Sequence, residues 1–189
     1  MSVLPGLHEA VCRVVRVLEG LPAPYAVGGA VAMAFAGRIR GTRDVDVLAA
    51  VPALRAQDFA EALAREGFTL RDGAGAAAPI EARLLSEATR KDGLFRVWLD
   101  DISVDFFTPR VPLQDSILKR RRRHEIPGLA LWLTTPEDLI LLKMVFHRPK
   151  DLEDVRELAR LRGKKLDRAY LDPRVKGLAA DLARPAIWE

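Results

Sequence analysis

Cysteine is all but missing from this chain. Cys12 stands alone among 189 residues, so no internal disulfide can form and a reducing cytoplasm is the expected setting. At its place in a helical apolar pattern it reads as a small buried hydrophobe. The three histidines, His8, His124 and His147, lie far apart with no cysteine beside them, which argues against a zinc site. Long apolar runs are lacking too. The longest uncharged stretch, Gly20 to Gly37, is broken by Pro22, Pro24, Gly28 and Gly29, so no membrane span is expected. The opening Met1-Ser2-Val3-Leu4-Pro5 lacks a basic segment followed by an apolar one, and no secretory signal is read there.

What is present suffices for a folded domain. Hydrophobic residues make up 49% and charged residues 30%, which excludes a chain disordered through low hydrophobicity. The formal charge of +4 is mild, yet compatible with a polyanionic partner. A core over residues 1–112 is expected, with a mainly helical part over 113–189 packed on it, or the two merged in a single compact unit.

Apolar periodicity predicts a helix over 7–19, closed by Gly20. A short strand, Tyr25-Ala26-Val27, runs into Gly28-Gly29, and a small-residue helix follows to Ala36. Asp44-Val45-Asp46-Val47 alternates as a half-buried strand does. Residues 53–66 form a second amphipathic helix, and the Gly- and Ala-rich stretch from Asp72 to Pro79 reads as a loop. A hairpin follows, Leu94 to Leu99 and Ile102 to Phe107, with its turn at Asp100-Asp101. Residues 113–123 read as helix and Leu129 to Leu133 as a strand. Thr135-Pro136-Glu137-Asp138 opens a helix that reaches Phe146; another begins near Lys150, and a short one ends the chain. The resulting class is α/β or α+β with a mixed sheet.

Chemistry concentrates at three places. Gly28-Gly29 sits where a strand becomes a helix, a turn that lets backbone amides approach a phosphate or simply reverses the chain. Asp44 and Asp46 share one strand face, where a cation would relieve their repulsion. Alternatively they mark a solvated face. Asp105 stands in the otherwise apolar Ser103-Val104-Asp105-Phe106-Phe107, costly to bury without a partner unless it lies on an exposed edge. Pairing of its strand with that of Asp44 would bring three acids together on two metal ions for in-line phosphoryl chemistry. The run Lys119-Arg120-Arg121-Arg122-Arg123-His124 is a solvated helix end or a phosphate-backbone contact, without interleaved aromatics for base stacking.

Taken together, Gly28-Gly29, Thr42-Arg43-Asp44-Val45-Asp46 and the later Asp105 resemble the signature of the DNA polymerase β-like nucleotidyltransferase superfamily. Thr135 to Lys143 and Lys150-Asp151-Leu152-Glu153-Asp154 are similar to segments of its AbiEii and MenT toxin-like members. The resemblance implies a nucleotidyltransferase fold, a mixed β-sheet with flanking helices, and a Mg²⁺-dependent enzyme that transfers a nucleoside monophosphate from an NTP to an acceptor hydroxyl. It implies Asp44, Asp46 and Asp105 as catalytic and metal-binding residues, Asp105 also helping to activate the acceptor. Gly28, Gly29, Arg43, Lys143 and Asp151 would bind nucleotide. The implied partners are tRNA or another RNA and an antitoxin protein, with no membrane. Where many members have Gly-Ser at the phosphate turn, Gly28-Gly29 stands here. Local readings also exist: Asp151 as a helix-start acid, Lys143 paired with Glu137. The competing functions are a catalytically silent module that binds nucleic acid or a partner, or transfer to a small molecule or protein.

Overall fold

The computed structural model of the chain describes residues 5–126 and 128–182. Its organising element is a six-stranded mixed sheet in the order β5-β6-β2-β1-β8-β7. The strands are β1 (Tyr25–Val27), β2 (Asp44–Ala49), β5 (Leu94–Leu99), β6 (Ile102–Phe107), β7 (Arg122–Ile126) and β8 (Leu129–Leu133). β2 runs antiparallel to β1 and parallel to β6, and β1 runs parallel to β8. The residues beyond 112 therefore supply two strands of this sheet as well as helices.

Alternation along the strands sorts their side chains onto two faces. Val45 and Val47 of β2, Val104 and Phe106 of β6 and Val97 of β5 are all buried on one of them. That face lies under α1 (Pro5–Glu19) and α3 (Ala56–Arg65), whose Val11, Val14, Leu18, Phe59 and Leu63 meet it. The rings of Phe95 and Phe106 stack with centroids 4.8 Å apart, and Phe59 approaches Phe106 edge-on at 5.2 Å. The opposite face carries Asp44, Asp46 and Asp105. Beside them a smaller apolar cluster joins Ala26 and Leu48 to Ile117 and Leu118 of α5 (Pro112–Arg120).

Several expected elements shift. The helix expected over 113–123 stops at Arg120, and Arg122–Ile126 forms edge strand β7 instead. The reason is non-local: all five residues pair in antiparallel register with β8, an interaction that outweighs the weak local preference. Residues 80–93, left unassigned by the sequence pattern, contain α4 (Ala82–Asp92), ended by Gly93 in the left-handed conformation at φ +67. The loop over 72–79 is partly a hairpin, with β3 (Leu70–Arg71) paired to β4 (Ala77–Ala78) and the Asp72 carboxylate accepting from the amides of Ala74 and Ala76. Cys12 is half-buried rather than sealed in the core.

Of the remaining helices, α2 (Gly29–Phe35) follows β1 directly, and α6 (Pro136–Phe146), α7 (Pro149–Arg162) and α8 (Arg168–Asp181) complete the chain's helical part. The Thr135-Pro136-Glu137-Asp138 segment starts α6 as expected, the Thr135 hydroxyl accepting from the Asp138 amide at 3.2 Å. Its acids have structural work. Asp138 is fully buried and accepts from the Tyr170 hydroxyl at 2.6 Å and the Thr135 hydroxyl at 2.7 Å, with the Arg120 guanidinium 3.5 Å away. Arg120 in turn lies over the Tyr170 ring. Glu137 accepts from the Asp167 amide at 2.9 Å. This network ties α5, α6 and α8 together. Tyr170→Phe should leave Asp138 short of a donor and lower unfolding stability in urea by about 1–3 kcal/mol, with nucleotide affinity unchanged. A midpoint identical to the parent's would show that the network does not hold α8.

Candidate active site

Parallel pairing of β2 and β6 sets Asp44 opposite Ser103 and Asp46 opposite Asp105. Neighbouring strands lie about 4.8 Å apart, so the latter two acids stand side by side. The expected convergence of the three carboxylates is thus realised. They line one cavity of about 250 Å³ together with Gly28, Gly29, Lys143 and Asp151. Arg43 differs: it is exposed and outside the cavity's lining, while Arg40 lines it. Beyond the residues singled out in the sequence, Arg96, Gln114, Thr134, Arg148 and Lys150 also line the cavity.

Gly29 has a backbone reason to be glycine. Its φ is +53, and a Cβ there would collide with the Asp46 carboxylate. The Gly28 amide is spent on the Asp46 carbonyl at 2.8 Å. The free amides at this turn therefore begin with Gly29, among the unpaired N–H groups that open α2.

The three acids have different surroundings. Asp44 accepts from the Thr42 hydroxyl. Asp105 is buried and held by Arg96 through both oxygens, at 2.5 and 2.7 Å. Asp46 accepts no hydrogen bond at its carboxylate from the described residues. Burial, then the charges of Asp44 and Asp105, push its pKa up to about 6. A half-buried, unpartnered carboxylate beside a second one is a hard oxygen pair of the kind Mg²⁺ takes, so Asp44 and Asp46 fit a divalent cation. Asp105, with both oxygens on Arg96, does not complete that set. Consistently, no three His, Cys, Asp or Glu groups form a metal cage among the described residues.

The pairing of Arg96 with Asp105 was legible in principle. With the hairpin turn at Asp100-Asp101, Leu99 faces Ile102, and counting back three on each side puts Arg96 opposite Asp105. Arg40 offered no such signal.

Behind the acids lies a buried ion cluster. Lys143 reaches Asp154 at 2.6 Å and Asp151 at 3.4 Å rather than Glu137. Burial raises the Asp154 pKa, but hydrogen bonds from Lys143 and Arg38 outweigh it and hold the acid below its usual range. Asp151 behaves likewise: burial is outweighed by hydrogen bonds from the Arg148 side chain and amide. Asp151 thus does serve the start of α7, and in the same place fixes Lys143 and Arg148 at the cavity wall.

A mixed sheet with paired acids on its open face, beside a glycine turn into a helix, is consistent with a nucleotidyltransferase fold. The chain belongs to the family described as "Nucleotidyl transferase of unknown function (DUF2204)", whose model matches residues 7–178. A search of curated proteins finds no match at the significance required. Among solved structures the chain is similar to ANT(2")-Ia in complex with adenylyl-2"-tobramycin, at 14% identity and TM-score 0.58, covering 92% of this chain and 97% of that one. It is also similar to a putative nucleotidyltransferase from Thermotoga maritima, at 12% identity and TM-score 0.53, covering 85% and 96%. The lincosamide adenylyltransferase LnuA with lincomycin bound is 11% identical at TM-score 0.51, covering 82% and 96%.

The raised Asp46 pKa sets a pH signature. An acid whose folded pKa exceeds its unfolded value of about 3.8 destabilises the fold once ionised, and that cost disappears as pH falls through 6 towards 4. Metal-free Asp46→Asn should therefore unfold at higher temperature than the parent at pH 7.5, with a gap of up to roughly 3 kcal/mol that narrows by pH 4.5. It should also lose any stabilisation by Mg²⁺. A variant equal to the parent at both pH values would refute the strained-carboxylate account.

Proposed function

We propose that this protein transfers a nucleoside monophosphate from an NTP to a hydroxyl of an RNA acceptor, such as tRNA, with Mg²⁺. The observation that carries the reading is the union, in one cavity, of the Asp44/Asp46 pair with a glycine turn and a rim of cations, Arg40, Arg148 and Lys150. Mg²⁺ held by Asp44 and Asp46 would neutralise triphosphate charge and draw electron density from the α-phosphorus. Arg148 and Lys150 face the triphosphate, and the amides from Gly29 onward take its outer oxygens. The acceptor hydroxyl passes its proton to solvent in the open cavity, its oxygen bonds to the α-phosphorus, and the bond to pyrophosphate breaks, releasing pyrophosphate. Lys143 acts from behind: its charge favours the ionised form of Asp46, while Asp151 and Asp154 fix its position.

Support for an RNA acceptor comes from the basic run. Arg120 is withdrawn into the Asp138–Tyr170 network, but Arg122 and Arg123 are exposed on edge strand β7. The aromatic that the local sequence lacks arrives from the neighbouring strand: Trp132 lies under Arg121 at 4.6 Å and near Arg123 at 5.8 Å. Backbone phosphates suit such a surface. The resemblance of Thr135 to Lys143 to the toxin-like members favours the same acceptor.

The test uses each of the four α-labelled NTPs with Mg²⁺ and total small RNA. Label should pass to RNA, and Asp44→Asn should cut transfer at least 100-fold. Transfer to a small hydroxyl compound but not to RNA would move the acceptor to the class seen in the antibiotic-modifying neighbours. No Mg²⁺-dependent NTP binding would leave only a binding module. The basic run is tested separately: changing Arg121, Arg122 and Arg123 to Gln should weaken RNA binding and flatten its dependence on salt. An unchanged slope would make the run a solvated edge.

A further inference from the structure

The carboxylate row asks for positive charge at two points, and the chain itself supplies one of them. We infer that Arg96 is a built-in second cation, so that the site takes one divalent ion per bound nucleotide rather than two. The inference rests on the metal-dependent reading above. It starts from a disagreement between the three-carboxylate signature and the geometry: Asp44 and Asp46 are open to an ion, but Asp105 is not.

Asp105 has only 6% of its surface exposed, and both of its oxygens meet the Arg96 fork, Nε at 2.5 Å and the terminal nitrogen at 2.7 Å. A planar bidentate pair is the strongest form of this contact, and guanidinium keeps its charge at any working pH. Contact with Asp105 raises the Arg96 pKa further. The pair is also held by the register, because Arg96 and Asp105 face each other in a six-residue antiparallel ladder closed by a short turn. Arg96 is flanked on its own strand by Trp98, whose ring centroid is 5.7 Å from the guanidinium carbon. A divalent ion placed on Asp105 would sit against this fixed positive group and would need to shed water in a buried position, which Mg²⁺ does reluctantly.

Charge balance agrees. Asp44, Asp46 and Asp105 carry three negative charges when ionised; one divalent ion and Arg96 match them. The Arg96 side chain is half-exposed at 51%, and the strand order β5-β6-β2-β1 sets it at the end of the carboxylate row remote from the glycine turn that follows β1. In an in-line displacement that is the acceptor side, opposite the leaving pyrophosphate. Arg96 is thereby placed to bear on the transferring phosphoryl group from the acceptor side, and Asp105 is the residue that positions it.

The experiment counts ions directly. Mn²⁺ is titrated into the full chain carrying one equivalent of a non-hydrolysable NTP analogue, and bound ions are counted from the loss of the free Mn²⁺ electron paramagnetic resonance signal. The parent should hold one ion per chain, Arg96→Gln should hold two, and Asp105→Asn should hold one with affinity within threefold of the parent. Two ions on the parent would overturn the inference while leaving the proposed reaction standing. One ion on both the parent and Arg96→Gln would overturn it as well, since Arg96 would not be what excludes the second. No ion on the parent would instead overturn the metal-dependent function itself. Should Arg96→Gln lose its circular dichroism signature, the double variant Arg96→Gln with Asp105→Asn removes both charges and must still hold one ion. A tenfold or greater loss of affinity there would show Asp105 to be a ligand.

Discussion

Like charge crowded onto one face of a sheet is the constraint around which this molecule is arranged. Strands β2 and β6 run parallel, and their register leaves Asp46 and Asp105 no alternative to standing side by side, with Asp44 one pleat away. In water such a row would be unremarkable. Half enclosed, it needs compensation, and each neighbouring element brings some. Strand β5 contributes Arg96, the segment between α2 and β2 contributes Arg40, and α6 contributes Lys143. Asp46 is left without a side-chain partner, and burial, then the charges of Asp44 and Asp105, raise its pKa.

The same economy explains the buried acids of α6 and α7. Lys143 would be costly to bury alone; Asp151 and Asp154 enclose it, and Asp154 is also bound by Arg38 from the segment after α2. The polar segments that resemble toxin-like enzymes therefore divide into two tasks. Thr135, Glu137 and Asp138 build the junction with α5 and α8, whereas Lys143 and Asp151 line the cavity. Family likeness in a stretch of sequence does not by itself separate scaffolding from chemistry; burial and hydrogen-bond partners do.

Asymmetry between the two ends of the carboxylate row gives the site a direction. On one side lie the glycine turn and the cations of the α6–α7 corner, suited to a triphosphate. On the other, beyond Asp105, stands the Arg96 fork at the hairpin's open face. In the proposed reaction a nucleotide and an acceptor would approach from opposite ends of a short row of acids, as in-line displacement at phosphorus requires.

Local pattern was enough to reveal much of this. Alternation placed Asp44 and Asp46 on one strand face, Gly28-Gly29 marked the strand-to-helix turn, and Thr135-Pro136 marked the start of α6, because each depends on residues within one or two turns of chain. Tight-turn geometry even contained the Arg96–Asp105 pairing. Other features had no local trace. The parallel union of β2 with β6 joins segments nearly sixty residues apart, so nothing in either strand names its partner. Arg122–Ile126 became a strand because β8 offered a complete ladder, against its own weak preference. Trp132 reached the arginine run, and Asp154 reached Lys143, only across element boundaries. Sequence alone determined which residues carry charge and on which face of their own element they lie; tertiary packing decided which charges meet, because the energy of a charge depends on what stands beside it and how much water remains.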